Sequence, residues 1–279
     1  MEKIIEHLDI LRNSASETVQ YLSGKEIKKI PFFCMGMLKR VEDTTVAGRL
    51  LFGQFRDDPE GLPKYDFAIG ILFRSVLLDT LIGLNMLNEI HKLEAAGKNA
   101  EETEVALNDF CDVYLADGLK QMLSYIEDAE RYFKKMPAET ADTFNTIAVT
   151  FKPFFEPYPN DGSKPILKNK QTIIAKGLFE TLAKTQDLNN VSKLYDSYAY
   201  LSKYDHFGLL YYHTISEPVE TKLSIYLNIV EAFVAHNALL HVVLAKHSDN
   251  DEFLNDQKDK ANEHLLQQIH ANIKAGTAK

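Results

Sequence analysis

Five residues of one stretch have the types and spacing of an acid–base or anion-binding face: Tyr195, Tyr198, Ser202, His206 and His213. On a helix these steps place all five on one side, with Ser202 and His206 as neighbours four apart. A histidine beside a hydroxyl can move a proton, which makes His206 and Ser202 the catalytic candidates, with Asp205 as a second partner for His206. A serine in the middle of a helical face lacks the strained turn that exposes a nucleophile. The competing reading is therefore a hydrogen-bonded polar layer between helices. Asp205-His206-Phe207-Gly208 can also end the helix and separate His213 from the rest.

The second constellation is a pair of charges inside an apolar run. Residues 65–87 read YDFAIGILFRSVLLDTLIGLNML, long enough to span a bilayer. Arg74 and Asp79 sit near the middle, where each charge costs about 2.5 kcal/mol or more in lipid. They favour a helix buried in protein. At 100° per residue, Arg74 shares a stripe with Asn85, Asn88, Glu89 and Lys92, whose later part is expected to face solvent. Ser75 and Asp79 form a neighbouring stripe. Arg74 lies between Leu72-Phe73 and Val76-Leu77-Leu78, and a buried guanidinium needs a partner. It reads either as one end of a structural salt bridge or as an arginine that binds an anion or phosphate. The expected partner of both Arg74 and Asp79 is the Tyr198/Ser202/His206 face, so the ligand-binding candidates are Arg74, Asp79, Tyr198, Ser202 and His206.

His236, Asn237 and His241 fall off the polar stripe of their segment, toward the core. A spacing of five turns the two imidazoles about 140° apart, so they do not share a metal ion and read as satisfied core histidines. No histidine has a glutamate three residues before it, as a di-iron bundle needs. His-Glu-x-x-His, Gly-x-x-x-x-Gly-Lys and Gly-x-Gly-x-x-Gly are all missing. No metal and no cofactor is expected.

These residues need long helices to position them. The chain has 279 residues, 45% of them hydrophobic, with only 13 glycines and 9 prolines. Helical periodicity predicts segments at 2–22, 31–55, 64–96, 101–135, 138–151, 170–184, 188–213, 217–247 and 249–274. Strand-like alternation is missing. The expected fold is an all-α, multi-helix bundle of long antiparallel helices around a central apolar helix at about 64–96. One helical domain is expected over 1–279, with an internal boundary at the Pro-rich segment 152–170. Four prolines between Pro153 and Pro165 forbid regular structure there, and Phe154, Phe155 and Tyr158 suggest a packed loop.

A net charge of −9 argues against nonspecific nucleic-acid binding. The basic clusters at 25–29 and 164–170 read as solvated loops. Cys34 and Cys111 make neither a disulfide framework nor a metal site. The charged start, Met1 to His7, lacks a signal-peptide core; the expected location is the cytoplasm, with no membrane association.

Arg74 in an early apolar helix, followed much later by Tyr198-x-x-Leu201-Ser202-x-x-x-His206, resembles a bacterial helical family of uncharacterised function that is distantly similar to HEPN domains. The resemblance covers about residues 60–245. It implies a helical bundle associated with nucleotides or RNA, with a small anionic ligand or nucleotide as partner. Active HEPN ribonucleases carry Arg, then four to six residues, then His on one helix. No arginine here has a histidine at that distance, so Arg74 and His206 would have to meet from two helices, and catalysis is not implied. The other reading is a non-enzymatic protein-protein interaction or structural protein, acting as a homo-oligomer through its apolar helix faces.

Overall fold

Local sequence signals set the helix ends. Pro31 stands in the first turn of its helix, where a missing N–H loses nothing, and Pro137 is the first residue of another. Asn99 and Glu102 form a reciprocal cap: Glu102 N donates to Asn99 Oδ1 at 2.9 Å and Asn99 N to Glu102 Oε2 at 3.1 Å. Gly97, at φ +69°, closes the preceding helix, with Lys98 N donating to Leu93 O.

The computed structural model describes residues 1–57, 62–133, 137–184, 188–202, 217–249 and 251–277. Among the described residues are nine α-helices and no strand, so the chain is an all-α helical bundle. They are α1 (Glu2–Leu22), α2 (Lys29–Asp57), α3 (Leu62–Ala95), α4 (Ala100–Phe133), α5 (Pro137–Thr150), α6 (Ala175–Ala183), α7 (Leu188–Ser202), α8 (Val219–Lys246) and α9 (Glu252–Thr277). Two compact units emerge: Met1–Lys92 with Ala175–Lys279, and Leu93–Ile174.

In the first unit, α1 packs on α2, α8 and α9, and α2 also meets α8. Phe52, Phe73, Tyr226 and Phe233 form a buried aromatic set with centroids 5.3–6.1 Å apart, mostly edge to face. Each such ring contributes about 1.5–3 kcal/mol on burial. Within this apolar region lies a complete ion pair. Lys222 Nζ donates to Asp66 Oδ2 at 2.6 Å, and the Tyr226 hydroxyl donates to Asp66 Oδ1 at 2.6 Å. Both charged side chains are essentially inaccessible; either alone would cost several kcal/mol. Farther along, His7 Nδ1 lies 3.0 Å from His264 Nε2, joining α1 to α9.

Within Tyr65–Ala95 and Val219–Lys246, α3 and α8 are long and apolar enough to cross a membrane by length and composition. More than half of each apolar window is buried against protein. Both helices supply buried core side chains, Phe73 and Leu77 from α3 and Phe233 and Leu240 from α8.

In the second unit the Pro-rich segment is a packed loop. Phe155 and Leu167 make an isolated antiparallel bridge and bury with Leu119, Leu123, Ile126, Phe144 and Ile147. Gly162, at φ +78°, lies against α5 so closely that a Cβ would stand 2.5 Å from that of Ala141.

Candidate functional site

The apolar helix α3 is the axis of the candidate site. Its two central charges face different helices, because a step of five turns them about 140° apart.

Arg74 faces α7. Its Nη2 donates to the Tyr198 hydroxyl at 3.3 Å, and its guanidinium carbon lies 5.2 Å from the Tyr198 ring centroid. Leu194 and Leu201 bury the core side of α7, which leaves Tyr195 and Tyr198 half-buried on the flank. Tyr195 stacks on Phe179 of α6 with centroids 4.6 Å apart, and Tyr198 follows at 6.4 Å with its ring nearly parallel. A short series of rings therefore ends at a guanidinium.

The same stripe of α3 continues beneath α6. Asn85 Nδ2 donates to Leu178 O at 3.2 Å and to Leu81 O of its own helix at 2.9 Å. Asn85 and Asn88 are buried, which corrects the expectation that this part of the stripe faces solvent. Lys92, at the end, is exposed. Nothing in the α3 periodicity reveals that α6, more than 80 residues later, covers it.

Ser202 is half-buried, and its hydroxyl donates to Ala199 O of its own helix at 2.7 Å. This local bond is the alternative to a nucleophilic role. Asp205, His206 and His213 lie outside the described residues. The structure thus unites Arg74 with Tyr198, one of the two central pairings the sequence suggested.

Asp79 takes a different partner. It is 1% exposed, and Arg40 of α2 brings Nε to 2.8 Å from Asp79 Oδ2. The expected partner was the Tyr198 face; the correction follows from helix geometry, since Asp79 points toward α2 and α8. The contact is an ion pair with poor alignment: neither carboxylate oxygen has a hydrogen bond among the described residues. Arg40 keeps more than half of its side chain in solvent, so water screens its charge. Burial wins over this partner and pushes the Asp79 carboxyl up to about 7.

His236 of α8 is also 1% exposed and sits against α3 one turn beyond Asp79. Gly83 makes room for it: a Cβ there would lie 2.9 Å from His236 Nδ1. Burial, helped by the positive charge of Arg40, lowers the imidazole to about 3, so it is neutral at ordinary pH. Neither ring nitrogen has a hydrogen-bond partner among the described residues. This differs from the expectation of a satisfied core histidine. His241 does meet it, with Thr18 Oγ1 at 2.8 Å and Asn237 O at 2.8 Å. Asn237 Nδ2 donates to Ser14 Oγ at 3.2 Å.

Arg40 gave no signal in the sequence, where Leu38-Lys39-Arg40-Val41-Glu42 reads as an ordinary half-solvated helix. Lys222 was equally silent. Among the described residues no group of three or more His, Cys, Asp or Glu is placed to hold a metal ion. Cys34 and Cys111 are buried and form no disulfide. Chemically, the Arg74 side of α3 offers a cation and aromatic surface, and the Asp79 side offers a carboxyl that exchanges its proton near neutrality.

No family profile, curated protein or solved structure matches this chain significantly.

Proposed function

We propose that the protein binds a small anionic ligand of nucleotide type at the face formed by α3, α6 and α7. One observation carries this reading: the Phe179–Tyr195–Tyr198 ring series ends at the guanidinium of Arg74. An aromatic surface is favourable for a base, with stacking contributing about 1–3 kcal/mol per base. A guanidinium beside it suits a phosphate, which it can meet with two parallel N–H donors. The half-burial of Arg74 supports recognition over a purely internal role. The reading is one of binding, in the cytoplasm, and agrees with the HEPN-like resemblance without invoking ribonuclease chemistry.

Isothermal titration calorimetry with a panel of mono- and dinucleotides and a short oligoribonucleotide tests it. At least one should bind, Arg74→Ala should weaken binding tenfold or more, and Tyr198→Phe should weaken it less. Failure of the whole panel, or an Arg74→Ala variant that binds normally, overturns the proposal.

A second reading, self-association, has its own observation. Leu266, Ile269 and Ile273 form an exposed apolar stripe on α9, 42–59% accessible. Light scattering after size exclusion tests it; a monomer at high concentration ends this reading.

A further inference from the structure

A second cleft lies in the other unit. Between α4 and the Pro-rich loop is a cavity of about 400 Å³, within the range of small-ligand pockets, roughly 300–1,000 Å³. Leu123, Pro165, Ile166 and Leu167 form its aliphatic wall, and Lys120, Lys164 and Lys170 its cationic rim. No aromatic ring is among the lining residues.

The charges are unevenly answered. Lys164 Nζ lies 2.6 Å from Glu127 Oε2. Lys120 Nζ donates to a neutral hydroxyl, Thr172 Oγ1, at 2.5 Å. Lys170 stands exposed at the rim. In a chain of net charge −9 this is a local reversal of sign, and clefts lined by one sign concentrate the opposite ion. The loop is also held firmly. Phe155 and Leu167 are buried, and Glu156 N donates to Ile166 O at 2.9 Å. The wall is therefore preformed, which lowers the entropic cost of binding.

We infer that this cleft binds the free carboxylate of a long-chain aliphatic acid, with the chain against Leu123, Ile166 and Leu167 and the carboxylate between Lys120 and Lys170. A nucleotide would find no ring on which to stack. Inorganic phosphate would leave the aliphatic wall unused. An aliphatic acid meets both halves of the site, burying apolar surface and keeping its charge paired.

The test is calorimetric titration of the full chain with decanoate, 1-decanol and acetate. Decanoate should bind at least tenfold more tightly than either of the others. Changing Lys120→Met and Lys170→Met together should cut decanoate affinity tenfold or more and leave the weak decanol signal unchanged. Ile166→Glu should abolish decanoate binding by repulsion. Ile166 is 59% exposed, so that variant should keep its helical circular dichroism; if it does not, the lysine pair carries the test. Equal affinity for decanoate and decanol, full affinity in the double lysine variant, or binding only to anionic phospholipid vesicles overturns the inference. The Arg74→Ala variant should bind decanoate normally, which separates this site from the nucleotide face.

Discussion

Asp79 is the residue whose environment makes the sharpest claim. Its ordinary value is 3.8, and burial pushes it to about 7 despite Arg40. Below pH 3.8 folded and unfolded chains both hold the proton, and the residue is neutral in both. Between 3.8 and 7 the unfolded chain ionises while the folded chain keeps its proton, so stability falls as pH rises. Above 7 both states are ionised and the loss is complete. At about 1.4 kcal/mol per pH unit, a rise from 3.8 to about 7 corresponds to a loss of about 4 kcal/mol. Asp79→Asn keeps the shape and removes the titration. Urea denaturation of both proteins, followed by circular dichroism from pH 4.5 to 8, isolates the effect, because titrations common to both cancel in the difference. The variant should gain on the wild type as pH rises, by up to about 1.4 kcal/mol per pH unit, and the gain should level off near pH 7 to 8. A flat difference, or a wild type that gains with pH, would refute the reasoning. Either would mean that Arg40 stabilises the carboxylate at least as much as burial penalises it.

Three further predictions concern the same helices. Gly83→Ala places a Cβ 2.9 Å from His236 Nδ1 and should cost about 1–3 kcal/mol by overpacking; His236→Ala in the same chain should recover part of it, which a double-mutant cycle in denaturant measures. Lys222→Met leaves Asp66 buried without its main partner and should destabilise by about 3–5 kcal/mol, read as a lower urea midpoint, whereas adding Asp66→Leu should restore most of the loss. Ser202→Ala removes a hydroxyl bonded to its own helix and should change stability by no more than about 0.5 kcal/mol and nucleotide affinity less than twofold; a large loss of ligand binding would return Ser202 to the centre of the site.

The candidate site was legible in the sequence where one helix could be read alone. Arg74 and Asp79 announced themselves by interrupting an apolar run, and Tyr195 and Tyr198 by their helical spacing. The expected partner of Arg74 was the Tyr198/Ser202/His206 face, and of that face Tyr198 meets it. Arg40 was invisible: on α2 it occupies a half-exposed position, and only the crossing of α2 on α3 turns its side chain toward Asp79. Asn85 and Asn88 were misread as solvated because amides on a helix flank carry no mark of the helix that will cover them.

The sequence by itself determined the helices, since periodicity, proline placement and the Asn99/Glu102 cap are properties of contiguous residues. It also determined that charges on α3 would need partners, because desolvation of an ion is costly in any fold. Tertiary structure decided which partners. Asp66 found Lys222 and Tyr226 across 156 and 160 residues, and these bonds depend on how α3 and α8 pack. It also decided which charge is satisfied and which is left strained. Asp66 gains a dry, well-aligned cation, whereas Asp79 gains a guanidinium that remains largely in water. The same residue type on the same helix is therefore held in a dry ion pair at one turn and left beside a solvated guanidinium at another, because the partner and its alignment differ.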